Sequence, residues 1–177
     1  GDPYDAKGLL KASIRSNNPV LFFENKLLYA TTGPVPEQEY LVPLGVAAVK
    51  RRGRDVTVVT VGAALGNTLA AAAALEREGI EVEVVDLRTL VPLDLKTVVR
   101  SVQKTGRLLT VEEGCLGHGF GSEIVARVAE AALPALRAAP RRVAALDIPL
   151  PYNTKLEQAA LPNEQTIARA IKDVMRS

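Results

Sequence analysis

Residues 54–88 read RDVTVVTVGAALGNTLAAAAALEREGIEVEVVDLR, and this stretch sets the class of the fold. Val56, Val58, Val59 and Val61 form a β-branched run with little polar interruption. Such a run suits a strand covered on both faces, as in a parallel sheet. Gly62 and Gly66 break it, Asn67 is placed to cap a helix, and the Ala-rich segment to Leu75 has high helix propensity. Gly79 stands where a left-handed helix end is wanted, and Val82, Val84, Val85 and Leu87 make a second strand. Strand, helix and strand in so short a span predict a parallel crossover and an α/β fold.

Composition narrows the function classes. The chain has 177 residues, enough for one domain or a domain with an appendage, and 47% are apolar. Aromatic residues are only 4%, so the core must be built from Val, Leu, Ile and Ala. Twenty-two Lys and Arg oppose 20 Asp and Glu, and the net charge of +2 argues against nucleic acid or a membrane surface as partner. One Cys allows no internal disulfide and fits a reducing compartment. No apolar run is long enough to span a bilayer and no signal peptide is visible, so a cytoplasmic protein is expected.

Outside the central unit the chain reads as follows. Asp2-Pro3 opens a helix with an apolar stripe of Ala6, Leu9, Leu10 and Ile14. Ser16-Asn17-Asn18-Pro19 is a turn, and Val20 to Phe23 is a short apolar strand. Residues 24–45 hold Gly33-Pro34-Val35-Pro36 and Pro43, which suit an extended linker. A second unit starts near Val46. Asp94 caps a helix with Leu95, Val98, Val99 and Val102 on its buried face, and Gly106 ends it. Arg107 to Glu112 is a third strand, followed by a glycine-rich loop and a helix capped by Ser122. Arg141 to Ile148 is a further strand, Pro149 to Tyr152 a rigid bend, and the last helix begins at Leu161-Pro162-Asn163.

Three constellations could carry chemistry. Gly117-His118-Gly119-Phe120-Gly121-Ser122 lies between a strand and a helix, where backbone N–H groups can bind an anion. Its spacing fits neither the dinucleotide fingerprint nor the Walker pattern, and a tight packing turn is the simpler reading. Glu112, Glu113, Cys115 and His118 gather at the carboxyl end of a strand and offer metal or nucleophile chemistry. The sole His and sole Cys of the chain lack an orienting third group, however, and the two glutamates read better as surface or interface charges. Ser13 to Asn18 closes a helix whose free carbonyls are capped, hydrated or used to hold a hard cation.

Taken in order, PYDAKGLLKASIRSNNPVLFFENKLLY, VPLG, DVTVV, EGIEVEVVDLRTLVPLD, VQKTGRLLTVEEG, GFGSEI and IPLPYNTKLEQAALP resemble one family over nearly the whole chain. It is the carboxyl half of the β subunit of thiamine-diphosphate-dependent 2-oxo acid dehydrogenases, of the pyruvate dehydrogenase type. Transketolase and deoxyxylulose-phosphate synthase share the domain, but the linker fits them less well. A non-catalytic α/β module that holds an anion at Gly117–Gly121 is the alternative from another class.

The resemblance implies an α/β fold of three layers, with a mostly parallel five-stranded sheet and one antiparallel edge over residues 46–177. Residues 1–23 would be the last helix and strand of a pyrimidine-binding domain, and 24–45 the linker. It implies thiamine diphosphate and magnesium in the complete enzyme, held by an α subunit and by an earlier part of the β subunit. This chain alone would then be a non-catalytic fragment. It also implies a structural potassium ion on the backbone carbonyls of Ser13, Ile14, Ser16 and Asn18, weakened here because one further ligand would come from elsewhere. Implied partners are the α subunit, a second β subunit of a heterotetramer, and the peripheral subunit-binding domain of a dihydrolipoamide acyltransferase. That last contact would lie near Pro149 to Tyr152 and the last helix.

Overall fold

The structure is a computed structural model that describes residues Gly1–Ser177. Five strands form one sheet in the order β1-β3-β2-β4-β5: β1 Ala48–Arg51, β2 Val56–Thr60, β3 Val82–Asp86, β4 Leu108–Cys115 and β5 Arg141–Ala145. β2, β3, β4 and β5 run parallel, and β1 pairs antiparallel with β3 at one edge. Six α-helices accompany it: α1 Pro3–Ile14, α2 Ala64–Glu76, α3 Leu95–Thr105, α4 Phe120–Ala132, α5 Thr154–Ala160 and α6 Glu164–Arg176.

Alternation along the strands feeds two separate cores. Val56 and Val58 of β2, Val82 and Val84 of β3, and Leu109 and Val111 of β4 face Leu65, Ala72, Leu75, Ile167, Ile171 and Val174 of α2 and α6. Val59, Val85 and Leu108 face the other way, onto Val98, Val102, Ile124 and Val128 of α3 and α4. The result is the three-layer α/β arrangement. One polar cluster interrupts the second core. The Glu83 carboxylate is buried on β3 and accepts bonds from Ser101 Oγ and Lys104 Nζ of α3. Beside it the hydroxyls of Thr57 and Thr105 are 2.8 Å apart.

Local signals place most helix ends. Asp2 caps α1 and accepts from the Asp5 N–H at 2.8 Å. Asp94 caps α3 by accepting from Thr97 N–H, and its second oxygen takes the Ala47 N–H, each at 3.0 Å. Gly79 and Gly106 adopt the left-handed conformation at φ 82° and 72°. Asn163 and Thr166 form a reciprocal capping box at α6.

Three sequence readings are corrected, and two elements are added. Val20 to Phe23 forms no strand, and Leu21 and Phe23 are 86% and 89% exposed. A strand exists only with a partner for its N–H and C=O groups, and no strand of the sheet is offered to this segment. Asn67 does not cap α2, which begins three residues earlier; its Nδ2 instead donates to the Pro162 carbonyl at 3.2 Å. Ser122 lies inside α4, whose cap is Gly119, and its Oγ accepts from Arg142. α5, capped by Asn153, and the edge strand β1 are elements that periodicity missed because both are short.

Ile171 is fully buried where α6 meets α2 and the sheet. Ile171→Ala is expected to cost about 2–5 kcal/mol, from lost burial plus the cavity left behind. Equilibrium urea unfolding with an unchanged m-value checks this.

Candidate functional site

β3 and β4 flank β2 on opposite sides, so the chain leaves β2 and β4 in opposite directions. The crevice above their carboxyl ends is where open α/β sheets bind ligands. It is rimmed by Gly62 after β2, Asp86 at the end of β3, and Glu112 and Glu113 on β4. The amino-terminal region lies over it. The Gly1 nitrogen donates to Asp86 Oδ2 at 2.8 Å, and Asn25 Nδ2 donates to Glu113 Oε2 at 3.2 Å. Burial pushes the Glu113 carboxyl above its ordinary range, and the Asn25 bond offsets this only in part.

Glu112 corrects the reading of a surface charge: it is 2% exposed. Its Oε1 accepts the Gly121 N–H at 2.8 Å, in the first turn of α4. A Cβ on Gly121 would sit 2.6 Å from that oxygen, and one on Gly119 would sit 2.5 Å from Oε2. These two glycines leave room for a carboxylate at the helix N-terminus, where unpaired N–H groups favour negative charge. The glycine loop therefore serves an internal anion, and an incoming phosphate would meet Glu112 first. The loop is pinned from outside by Gly117 N–H to Asp147 Oδ1 at 2.9 Å and by Arg142 Nη1 to the Leu116 carbonyl at 2.7 Å.

Cys115 and His118 are both exposed, His118 with a left-handed backbone at φ 58°. No group of three or more His, Cys, Asp or Glu side chains is placed to hold a metal ion. At the end of α1 the Ser13 carbonyl accepts the Ser16 N–H at 3.1 Å, and Ser16 Oγ accepts the Asn18 N–H at 3.2 Å. Ile14 lies between them, exposed.

A second surface lies beyond β5. A cavity of about 380 Å³ is lined by Leu116, Arg142, Leu146, Asp147 and Thr166 among others. Leu146, Ile148, Leu150, Tyr152 and Leu156 are exposed along the same segment, and Tyr152 makes no burying contact at all. No helix is long and apolar enough to cross a membrane.

A mostly parallel five-stranded sheet between helix pairs, with Glu112 set at the N-terminus of α4, defines a three-layer α/β domain. Residues 45–167 match the family described as transketolase, C-terminal domain, and the chain belongs to that family. Its close homologues are β subunits of the pyruvate dehydrogenase E1 component. That of Rhizobium meliloti (strain 1021) is 47% identical over 96% of this chain and 37% of its own length. The mitochondrial subunit beta-1 of Arabidopsis thaliana is 46% identical over 95% of this chain and 47% of its own length. The β subunit of the acetoin:2,6-dichlorophenolindophenol oxidoreductase of Cupriavidus necator is 45% identical over 98% of this chain and 52% of its own length. The chain thus spans about half, or less, of these curated relatives. A solved split-gene transketolase, an inactive β4 tetramer, superposes with a TM-score of 0.69 at 28% identity, covering 82% of this chain and 47% of that one.

Glu113→Gln keeps an acceptor for Asn25 and removes a carboxylate whose ionisation burial opposes. A carboxyl with a raised folded pKa favours the fold most below its unfolded pKa and loses that contribution as pH rises through the folded pKa. The variant is therefore expected to melt higher than the parent at pH 7–8, by up to about 3 °C, the shift that roughly 1 kcal/mol gives a chain of this size. The gain should vanish as pH falls below the ordinary Glu value of 4.5. Thermal melts across pH 4–8 test both halves.

Proposed function

We propose that this chain forms the carboxyl-terminal part of the β subunit of a thiamine-diphosphate-dependent 2-oxo acid dehydrogenase of the pyruvate type. Its share of the work is assembly and docking. The single observation that carries this reading is the 44–47% identity, along 95–98% of the chain, to pyruvate dehydrogenase E1 β subunits. In the complete protein the activity would be decarboxylation of a 2-oxo acid with acyl transfer to a lipoyl group, in the cytoplasm. The domain division we favour is 1–23, 24–45 and 46–177, which the start of the family match at residue 45 supports.

The diphosphate of the cofactor and its magnesium need main-chain N–H donors and hard oxygen ligands. The glycine-lined helix N-terminus of this chain is filled by Glu112, and the donor groups present do not fit the cofactor. We assign no chemical step to these residues. Cofactor and metal belong, on this reading, to an α subunit and to the remainder of the β subunit.

Partners would be the α subunit, a second β subunit and the peripheral subunit-binding domain of the dihydrolipoamide acyltransferase. We place the acyltransferase contact on the Pro149–Tyr152 segment, where Leu150 and Tyr152 stand without cover, and on the polar outer face of the last helix, with Arg169 and Asp173 exposed. The test is reconstitution. A β subunit carrying this sequence should turn over pyruvate or acetoin only with its α partner. Decarboxylation by the isolated chain would refute the assignment. Tyr152→Ala should leave the melting temperature unchanged and weaken acyltransferase-domain binding by about tenfold, as loss of an aromatic anchor does. Titration calorimetry reads this out.

The carbonyls of Ser13, Ile14, Ser16 and Asn18 are neutral oxygen donors at a helix end, which suits potassium. Ser13 already accepts one N–H, which supports weak binding at most. With a Kd near 100 mM, that concentration of KCl would add about 0.4 kcal/mol. A thermal shift with KCl over NaCl is expected to be about 1 °C, and an equal response to both salts would remove the site.

A further inference from the structure

Helix α1 is held to the rest of the molecule in an unusual way. Its buried residues are Asp5, Gly8 and Leu9. Neither Leu9 nor Val42, the buried apolar residue beside it, belongs to either core. The Asp5 carboxylate, 1% exposed, accepts from Arg88 Nη2 at 2.6 Å on one oxygen and from Lys50 Nζ on the other. Lys50 also donates to Asp2 at 2.7 Å. Arg88 reaches Asp5 from a left-handed backbone, φ 60°, and its buried Nε has no partner. Both features cost free energy and persist only where surroundings fix them.

Beyond α1, residues 31–44 fold back on the helix. The Val42 N–H donates to the Gly8 carbonyl at 3.2 Å, and Tyr40 stacks on Tyr4 with ring centroids 4.4 Å apart. Lys7 Nζ donates to the carbonyls of Pro36, Glu37 and Gln38 and lies 5.0 Å from the Tyr40 ring centre. The segment is thus coherent within itself. Its polar ties to the rest of the molecule run from Asp2 and Asp5 to Lys50, from Asp5 to Arg88, from the Gly1 nitrogen to Asp86 and from Asn25 to Glu113.

We propose that α1 and the strap to Leu44 are one unit latched onto the sheet by the Asp5–Lys50–Arg88 cluster, and that opening the latch uncovers the carboxyl ends of β2, β3 and β4 while the α/β core stays folded. Removing one member of a buried ion cluster leaves the others unpaired, so the latch opens sharply. Regions held by few apolar contacts open independently of the global transition.

Hydrogen exchange by mass spectrometry on this chain tests it, with Asp5→Asn against the parent. Amides of α1 should exchange at least tenfold faster, with β2 and β4 changing less than twofold. An equal acceleration in α1 and β2 would show a single cooperative unit and overturn the proposal; so would no change in α1. Leu9→Ala supplies the contrast: if it frees α1 as much as Asp5→Asn does, apolar packing is the fastening and the latch falls. Should Asp5→Asn fail to fold, Lys50→Met is measured in the same way. Failure of both to fold also overturns it, since a latch is dispensable to the core.

Discussion

Everything in this molecule follows from a central strand that water cannot reach from either side. Val58 and Val59 are adjacent in sequence and fully buried, yet they enter different cores. A strand with two apolar faces must be sandwiched, so α2 and α6 cover one side and α3 and α4 the other. Parallel pairing of β2 with both β3 and β4 then satisfies its backbone along both edges. These demands fix the layers, the crossovers and the position of the crevice. Glu83 enters the core as a closed set with Ser101 and Lys104, whereas the buried hydroxyls of Thr60 and Thr110 have no side-chain or backbone partner.

The same frame sets what the carboxyl ends of the strands present. In other α/β sheets that region keeps N–H groups free for a ligand. Here Glu112 takes the amide of α4, and Asp86 and Glu113 are engaged by the amino-terminal region. The chain has spent its switch point on holding itself together. A role in a larger assembly, with the chemistry elsewhere, is consistent with that arrangement and with the family to which the chain belongs.

The fold was largely legible from the residues. Dense Val runs, the caps Asp2, Asp94 and Asn163, and the glycines at 79 and 106 are local signals, and local signals survive in the structure. The readings that failed all needed information from a distance. Asn67 has the chemistry of a cap, but a carbonyl ninety-five residues away claims its amide. Ser122 gave way to Gly119 because a carboxylate from β4 serves α4 in its place. Val20 to Phe23 has the composition of a strand, and composition does not supply a partner. The burial of Glu112 could have been suspected from glycines at 119 and 121, since a helix that starts with two missing side chains is making room for something. The Asp5 cluster left no trace at all in periodicity, because its members lie far apart in sequence.

The two rims of the sheet tell how such a chain stays out of trouble at high concentration. An edge strand is an open invitation to pair with another molecule. On one rim β1 is only four residues long, is bulged between Val49 and Arg51, and carries Lys50 and Arg51. A bulge twists the backbone away from regular pairing, and Lys50 and Arg51 are tied by ion pairs to Asp2, Asp5 and Glu76 of the neighbouring helices. On the other rim β5 begins with Arg141 and Arg142 and is five residues long. Neither rim offers a long, flat, uncharged template, so the sheet resists growth by edge-to-edge pairing.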